Sequence, residues 1–228
     1  MRSKAPKRVT IAVDSERQVS GLLQVPADAS ACYVVAHGAG AGMEHPFMVS
    51  ISEGLAERHV ATLRYQFPYM ERGGKRPDSP AIAQATVRAA IAAASRLLPG
   101  VALMAGGKSF GGRMTSQAQA ASPLESVRGL AFLGFPLHAA GKPSDERAQH
   151  LFEVQVPMLF LQGSRDSLAD LGYLRPIINR LGQRATLKVY EDADHSFHVR
   201  VRSGRKDSEV RDEMLDDLAG WMASVTRL

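Results

Sequence analysis

The sequence predicts an α/β fold, a mostly parallel twisted sheet with helices on both faces. Three observations carry that expectation. Short apolar runs of β type alternate with longer helical patterns through most of the chain. The chain has 228 residues, enough for one large α/β domain and few for two. Its composition, 45% hydrophobic and 22% charged, suits a globular protein that buries a sizeable core. One domain over residues 1–228 is expected, with no repeats, low-complexity tracts or long linkers.

The elements follow in order. Val9 to Val13 and Gly21 to Val25 lie close together and read as an antiparallel edge hairpin. Cys32 to Ala36 is an uninterrupted apolar run, a core strand that ends at His37. Pro46 to Arg58 reads as a helix, Val60 to Tyr65 as a strand, and Gln66 to Pro77 as a loop rich in Pro, Gly and basic residues. Ser79 suits an N-cap and Pro80 a first turn. The helix they open presents Ile82, Thr86, Ala89, Ala93 and Leu97 at steps of three and four, and Pro99-Gly100 stops it. Val101 to Ala105 is a central strand that runs into Gly106-Gly107-Lys108-Ser109-Phe110-Gly111-Gly112 and a further helix. Leu130 to Leu133, Met158 to Leu161 and Thr186 to Tyr190 are the remaining strands. The last helix, about Ser208 to Thr226, puts Val210, Met214, Leu218 and Trp221 or Met222 on one face.

Bulk properties exclude several function classes. No apolar run reaches the length of a membrane span, and no apolar h-region follows the basic stretch Met1 to Arg8. The one cysteine, Cys32, has no partner for an internal disulfide and lies in an apolar run, so a buried thiol and a cytoplasmic protein are expected. The net charge of +5 is spread over loose clusters without interleaved aromatics, so neither nucleic acid nor membrane is an expected partner. The seven histidines show no metal-ligand spacing. No metal or organic cofactor is expected.

Gly107-Lys108-Ser109-Phe110-Gly111 fits G-x-S-x-G. By glycine and serine frequencies alone, about one chain in seven of this length would contain such a pattern. The setting sharpens it, because an apolar strand runs directly into the motif and a helical pattern leaves it, as a nucleophile elbow requires. A serine there has a strained backbone, and the flanking glycines supply room. The Phe110 N–H opens the helix, where both the free donor and the helix dipole suit an oxyanion. The P-loop pattern is not met, since Ala102 stands where its first glycine belongs.

A hydroxyl needs a base, and the base needs an orienting acid. Asp166 follows the run Met158 to Leu161 in the loop Gln162-Gly163-Ser164-Arg165-Asp166. His195 follows the run Thr186 to Tyr190 in Glu191-Asp192-Ala193-Asp194-His195. That gives the chain order serine, acid, histidine. Asp170, Asp192 and Asp194 are neighbouring acids that read better as surface or capping groups, and His198 is the alternative histidine. The glycine-rich run His37-Gly38-Ala39-Gly40-Ala41-Gly42 supplies a second oxyanion donor, Ala39, with Gly40 as the alternative.

These runs resemble the α/β-hydrolases, within them the small dienelactone-hydrolase-like group. The resemblance is strongest to a branch of hydrolases that includes animal testis-expressed and chromatin-complex subunit relatives. It also rests on His45-Pro46-Phe47, Phe67-Pro68-Tyr69, Gly134-Phe135-Pro136-Leu137-His138 and Asp194-His195-Ser196-Phe197. It implies triad roles for Ser109, Asp166 and His195. The namesake enzymes use a cysteine nucleophile, so their substrate does not carry over.

The expected function is hydrolysis of a small ester or thioester through an acyl-enzyme on Ser109, with a small-molecule acyl compound as partner. The alternatives are a non-catalytic scaffold that retains the fold, a peptidase or an acyltransferase. A short lid-like segment over about 136–156 implies an open pocket. Phe47, Tyr65, Phe135 and His138 are candidate pocket walls. Lys75, Arg76, Lys108 and Arg113 are candidates for attracting an anionic substrate, with an ion pair as the other reading of Arg113.

Overall fold

In a computed structural model that describes residues 5–227, the alternating pattern becomes one eight-stranded sheet. The strands are β1 (Lys7–Ala12), β2 (Gln18–Gln24), β3 (Ala31–Ala36), β4 (Val60–Tyr65), β5 (Ala102–Lys108), β6 (Val127–Leu133), β7 (Met158–Gly163) and β8 (Ala185–Tyr190). Their spatial order is β1-β2-β4-β3-β5-β6-β7-β8. Pairing is antiparallel for β1 with β2 and β2 with β4, and parallel from β4 to β8. The edge hairpin is thus where the closely spaced runs predict it.

The helices are α1 (Pro46–Glu57), α2 (Pro68–Glu71), α3 (Pro80–Leu97), α4 (Phe110–Ala121), α5 (Leu171–Leu181) and α6 (Asp207–Thr226). They cover the sheet on two sides. Side chains of α3, α4 and α5 pack on one face with Val34, Leu63, Phe132 and Phe160. Those of α1 and α6 pack on the other with Tyr33, Val35, Leu133 and Leu161. Alternation along each central strand explains the split, because successive side chains point to opposite faces and both faces are covered.

Two local expectations change. The loop after β4 contains the short helix α2. The face of α3 is also rotated from the predicted one. Ala83, Thr86, Val87, Ala90, Ile91, Ala93 and Ala94 are buried, whereas Leu97 is 39% exposed. Small alanines let the helix approach closely, and that contact outweighs the pull of a larger residue at its last position. Ser79 holds the N-cap position of α3 but makes no side-chain capping bond.

The segment 136–156 is short and contains an isolated antiparallel bridge, Ala139 to Lys142, and a 3-10 stretch, Glu146–Glu153. Ala148 and Leu151 anchor it on the α3–α4–α5 side of the sheet. Among the described residues, no helix is long and apolar enough to cross a membrane.

Candidate active site

Three loops at the carboxyl ends of parallel strands bring the site together, the usual place for ligands in an open α/β sheet. Ser109 stands between β5 and α4 with φ 49° and ψ −115°. A non-glycine residue rarely adopts positive φ, and the surroundings hold it there. Its N–H donates to the Leu133 carbonyl at 3.2 Å. A Cβ on Gly107 would fall 2.3 Å from the Ala36 carbonyl oxygen, and one on Gly111 2.6 Å from the Ala36 Cβ. The two glycines therefore make room for the end of β3.

Asp166 lies beyond β7 and His195 beyond β8. The two loops are stitched together by Ser164 N–H to the Tyr190 carbonyl (3.0 Å) and Arg165 N–H to the Ala193 carbonyl (2.9 Å). Gly163 permits that approach, since a Cβ there would sit 2.4 Å from the Ala193 carbonyl oxygen. The result is a continuous line. His195 Nε2 is 2.9 Å from Ser109 Oγ, and His195 Nδ1 is 2.6 Å from Asp166 Oδ2. A carboxylate only accepts, so with a neutral ring the Nδ1 proton points at Asp166 and Nε2 is free to accept from the serine. The Asp166 side chain is 0% exposed and that of His195 21% exposed.

The acid has further partners. Its Oδ1 accepts from the Leu168 N–H at 2.8 Å, and its Oδ2 accepts from Gln162 Nε2. Gln162 Oε1 in turn accepts from the Phe135 N–H at 2.9 Å. Gln162 is fully buried at the end of β7, so both halves of its amide are used. Its presence in a strand otherwise made of apolar residues is the sequence signal that marks it.

The neighbouring candidates have other duties. Asp170 caps α5 through the Gly172 N–H at 2.7 Å. Asp194 accepts from the Ser196 and His198 N–H groups. His198 pairs with Asp207 at 2.7 Å. Asp192 sits at positive φ in the same loop.

The glycine-rich loop after β3 is braced from below. His37 is buried, its Nε2 accepts from the Phe67 N–H at 3.1 Å, and its Nδ1 is 2.8 Å from the Gly38 carbonyl. Burial holds its pKa down to about 4, so the ring is neutral. The Gly40 N–H donates to the Tyr69 hydroxyl at 3.1 Å. The Ala39 N–H has no hydrogen-bond acceptor among the described residues, and Ala39 is exposed. Phe110 opens α4, so its N–H has no intrahelical acceptor. Of the two loop amides weighed from sequence, Gly40 is engaged and Ala39 is open.

Lys108 reaches across the site. Its Nζ donates to the His195 carbonyl at 2.5 Å. It also lies 5.9 Å and 5.6 Å from the ring centroids of Phe47 and Phe197, which stack on each other. A Cβ on Gly134 would be 3.0 Å from that Nζ, so Gly134 leaves room for it. Burial pushes the ammonium down to about 8, against the favourable charges of Asp166 and Asp194.

The pocket candidates separate. Phe47 is half-buried beside Lys108. Tyr65 and Phe135 are 1% and 0% exposed and belong to the core, so they are not pocket walls. Tyr65 shares the α3 side of β4 with Leu63, and Phe135 packs on Phe132 and Phe160. His138 is also buried, its Nε2 accepting from the Asp170 N–H at 2.9 Å. It lines a cleft with Asp166 and Ser167 that does not include Ser109. A cavity of about 1250 Å³ is lined by Leu22, Gln24, Glu53 and Arg64 and by none of the three site residues.

The sequence matches the alpha/beta hydrolase domain over residues 29–223. The chain belongs to the α/β-hydrolase family. Among solved structures it is similar to a dienelactone hydrolase from Anabaena variabilis ATCC 29413, with 19% identity, 98% and 99% of the two chains covered and a TM-score of 0.78. A serine hydrolase without lid from Xanthomonas campestris matches with 22% identity, 94% and 93% coverage and a TM-score of 0.72. The esterase domain of a Rhodothermus marinus protein matches with 16% identity, 96% and 98% coverage and a TM-score of 0.72. At these identities the likeness is one of fold. This α/β-hydrolase shares with them the mostly parallel sheet flanked by helices that its own sequence predicts.

Proposed function

We propose that this α/β-hydrolase is a serine esterase or thioesterase acting on small acyl compounds, with Ser109 as nucleophile, His195 as base and Asp166 as its orienting acid. The observation that carries the proposal is the unbroken line from Ser109 Oγ to His195 to Asp166, at 2.9 Å and 2.6 Å. His195 Nε2 takes the Ser109 proton as Oγ bonds to the substrate carbonyl carbon, and the carbonyl electron pair moves onto oxygen. The Ala39 and Phe110 N–H groups hold that oxyanion, each contributing about 2.7–4 kcal/mol. When the intermediate collapses, the imidazolium gives its proton to the departing alkoxide or thiolate. Water then repeats the sequence on the acyl-enzyme and returns the proton to Ser109. Asp166 stays ionised and keeps the imidazole in its tautomer.

The short 136–156 segment supports small, soluble substrates, because it adds no more than an isolated bridge and a 3-10 stretch to the domain. The lone Cys32, with no disulfide to form, supports a cytoplasmic setting. The test is a panel of 4-nitrophenyl esters and acyl thioesters of graded chain length, assayed with wild type and Ser109→Ala. Turnover of short acyl chains by wild type alone is the expected result. Equal rates for the two proteins would contradict it.

A further inference from the structure

The cavity of about 1250 Å³ is a groove on the α1–α6 side of the sheet. Val49, Glu53 and Glu57 of α1 form one wall, Asp28 stands opposite, and Leu22 and Arg64 line it from β2 and β4. Arg64 faces this side because Val60, four residues earlier on β4, packs with α1 and α6, and side chains alternate along a strand. Its Nη1 donates to the Met43 carbonyl at 3.0 Å, but its Nε is buried without a hydrogen-bond partner. The chain carries a net charge of +5, yet the groove gathers carboxylates. Glu44 pairs with Arg8 at 3.0 Å, whereas Asp28, Glu53 and Glu57 form no ion pair among the described residues. The volume exceeds the range of about 300–1,000 Å³ usual for a small-molecule site and suits a stretch of polypeptide.

The same chain carries the complement of this groove. Val201 is 98% exposed, against 45% for Tyr173, the next most exposed large apolar residue. It stands on a 3-10 turn, Val201–Ser203, with Arg200 and Arg202 on either side. Arg200, Arg202 and Lys206 pair with no carboxylate among the described residues, and Arg205 pairs with Glu213 at 2.6 Å. A valine held in water between two cations gains from burial in an apolar channel with an acidic rim.

Turn and groove lie on the same side of the sheet, either side of α1. Phe47 in the first turn of that helix stacks on Phe197, three residues before Arg200, with centroids 6.1 Å apart. Two copies that meet on this side can each present the turn to the other's groove, the self-complementary arrangement of a twofold dimer. We propose that a second copy of this chain docks here, the Arg200-Val201-Arg202 turn of each copy entering the groove of the other. Val201 then meets Leu22 and Val49, the two arginines meet Asp28, Glu53 and Glu57, and a carbonyl of the turn gives Arg64 Nε its acceptor. Neither patch includes a residue of the proposed triad.

The test is analytical ultracentrifugation of the full chain over a range of protein concentrations. Wild type should pass from one chain to two as concentration rises, and added salt should weaken the association by screening. Two charge-reversed proteins locate the contact, Arg200→Glu with Arg202→Glu, and Glu53→Lys with Glu57→Lys. All four side chains are exposed, so the fold is preserved, and circular dichroism checks it. Each double variant should dimerise at least tenfold more weakly than wild type. Mixed together they should form a heterodimer of near wild-type affinity, because each reversed turn then meets a groove of opposite charge. Val201→Asp should also weaken the dimer at least tenfold. A wild type that stays monomeric at every concentration would overturn the proposal. So would a dimer that neither double variant weakens, or losses that mixing does not restore. Binding of a peptide with the sequence of residues 199–207 to a wild type that itself stays monomeric would assign the groove to a basic segment of another protein and overturn the dimer.

Discussion

The Lys108 ammonium donates to the His195 carbonyl at 2.5 Å, so the residue before Ser109 holds the loop that carries His195. Lys108 touches no reacting atom in the proposed mechanism and acts by position. Replacing it with Met keeps the stem and removes the donor. A charge-assisted hydrogen bond contributes about 1.5–3 kcal/mol, and misplacing a catalytic group by about 1 Å can cost about 100-fold in rate. Lys108→Met should lower kcat at least tenfold with a smaller change in KM. Its pH profile supplies the second readout. As pH rises through about 8, Lys108 loses its proton and the bond to His195 weakens. Wild-type kcat should fall above that pH, and the Lys108→Met profile should lack that limb.

Gln162 joins the acid to the strand beside it. Gln162→Leu leaves Asp166 without one donor and the buried Phe135 N–H without an acceptor. Leaving such groups unpaired costs about 1–3 kcal/mol. Thermal unfolding should show a matching loss of stability, and esterase activity should drop at least tenfold. Gln162→Glu, which sets two carboxylates side by side, should be worse on both measures.

The two amides of the glycine-rich loop make a separable pair. Ala39→Pro deletes the open N–H and should lower kcat about 100- to 1000-fold, as loss of one oxyanion donor does. Tyr69→Phe removes only the acceptor of the Gly40 N–H. Its effect on kcat should stay below tenfold. Equal losses in the two variants would place the donor elsewhere.

His37 and His150 set an acid limit on stability. Both are held down to about 4 in the folded protein, by burial first and, for His150, by Arg113 as well. Their unfolded values are near 6.5, so between pH 6.5 and 4 the unfolded chain binds more protons. Stability should therefore fall as pH drops through that window, each histidine contributing about 1.4 kcal/mol per pH unit. Denaturant unfolding of His150→Gln should show a shallower fall by about that slope.

Much of the fold is legible in the sequence because buried strands leave short apolar runs and turns leave glycine and proline. Cys32 to Ala36 and Val60 to Tyr65 are read at or close to their true bounds. What is hidden depends on contacts between distant residues. Nothing local distinguishes Tyr65 or Phe135 as core from the same residues as pocket wall, since the choice rests on which face of the sheet each side chain meets. The rotation of α3 is hidden because alanine carries a weak signal, although close packing favours it over Leu97. The brace from Lys108 to His195 spans 87 residues, and no spacing rule reaches that far. Gln162 and His37 do leave a mark, as polar residues at the ends of apolar strands, but their partners appear only in three dimensions.

The central claim is that Ser109 is an activated nucleophile. Its most direct measurement is covalent labelling with a fluorophosphonate, read by intact mass and by the modified peptide. One phosphonyl adduct on Ser109 is the predicted result, absent in Ser109→Ala and much slower to form in His195→Ala. A folded wild-type protein that stays unlabelled, or that carries the adduct on another residue, would contradict it.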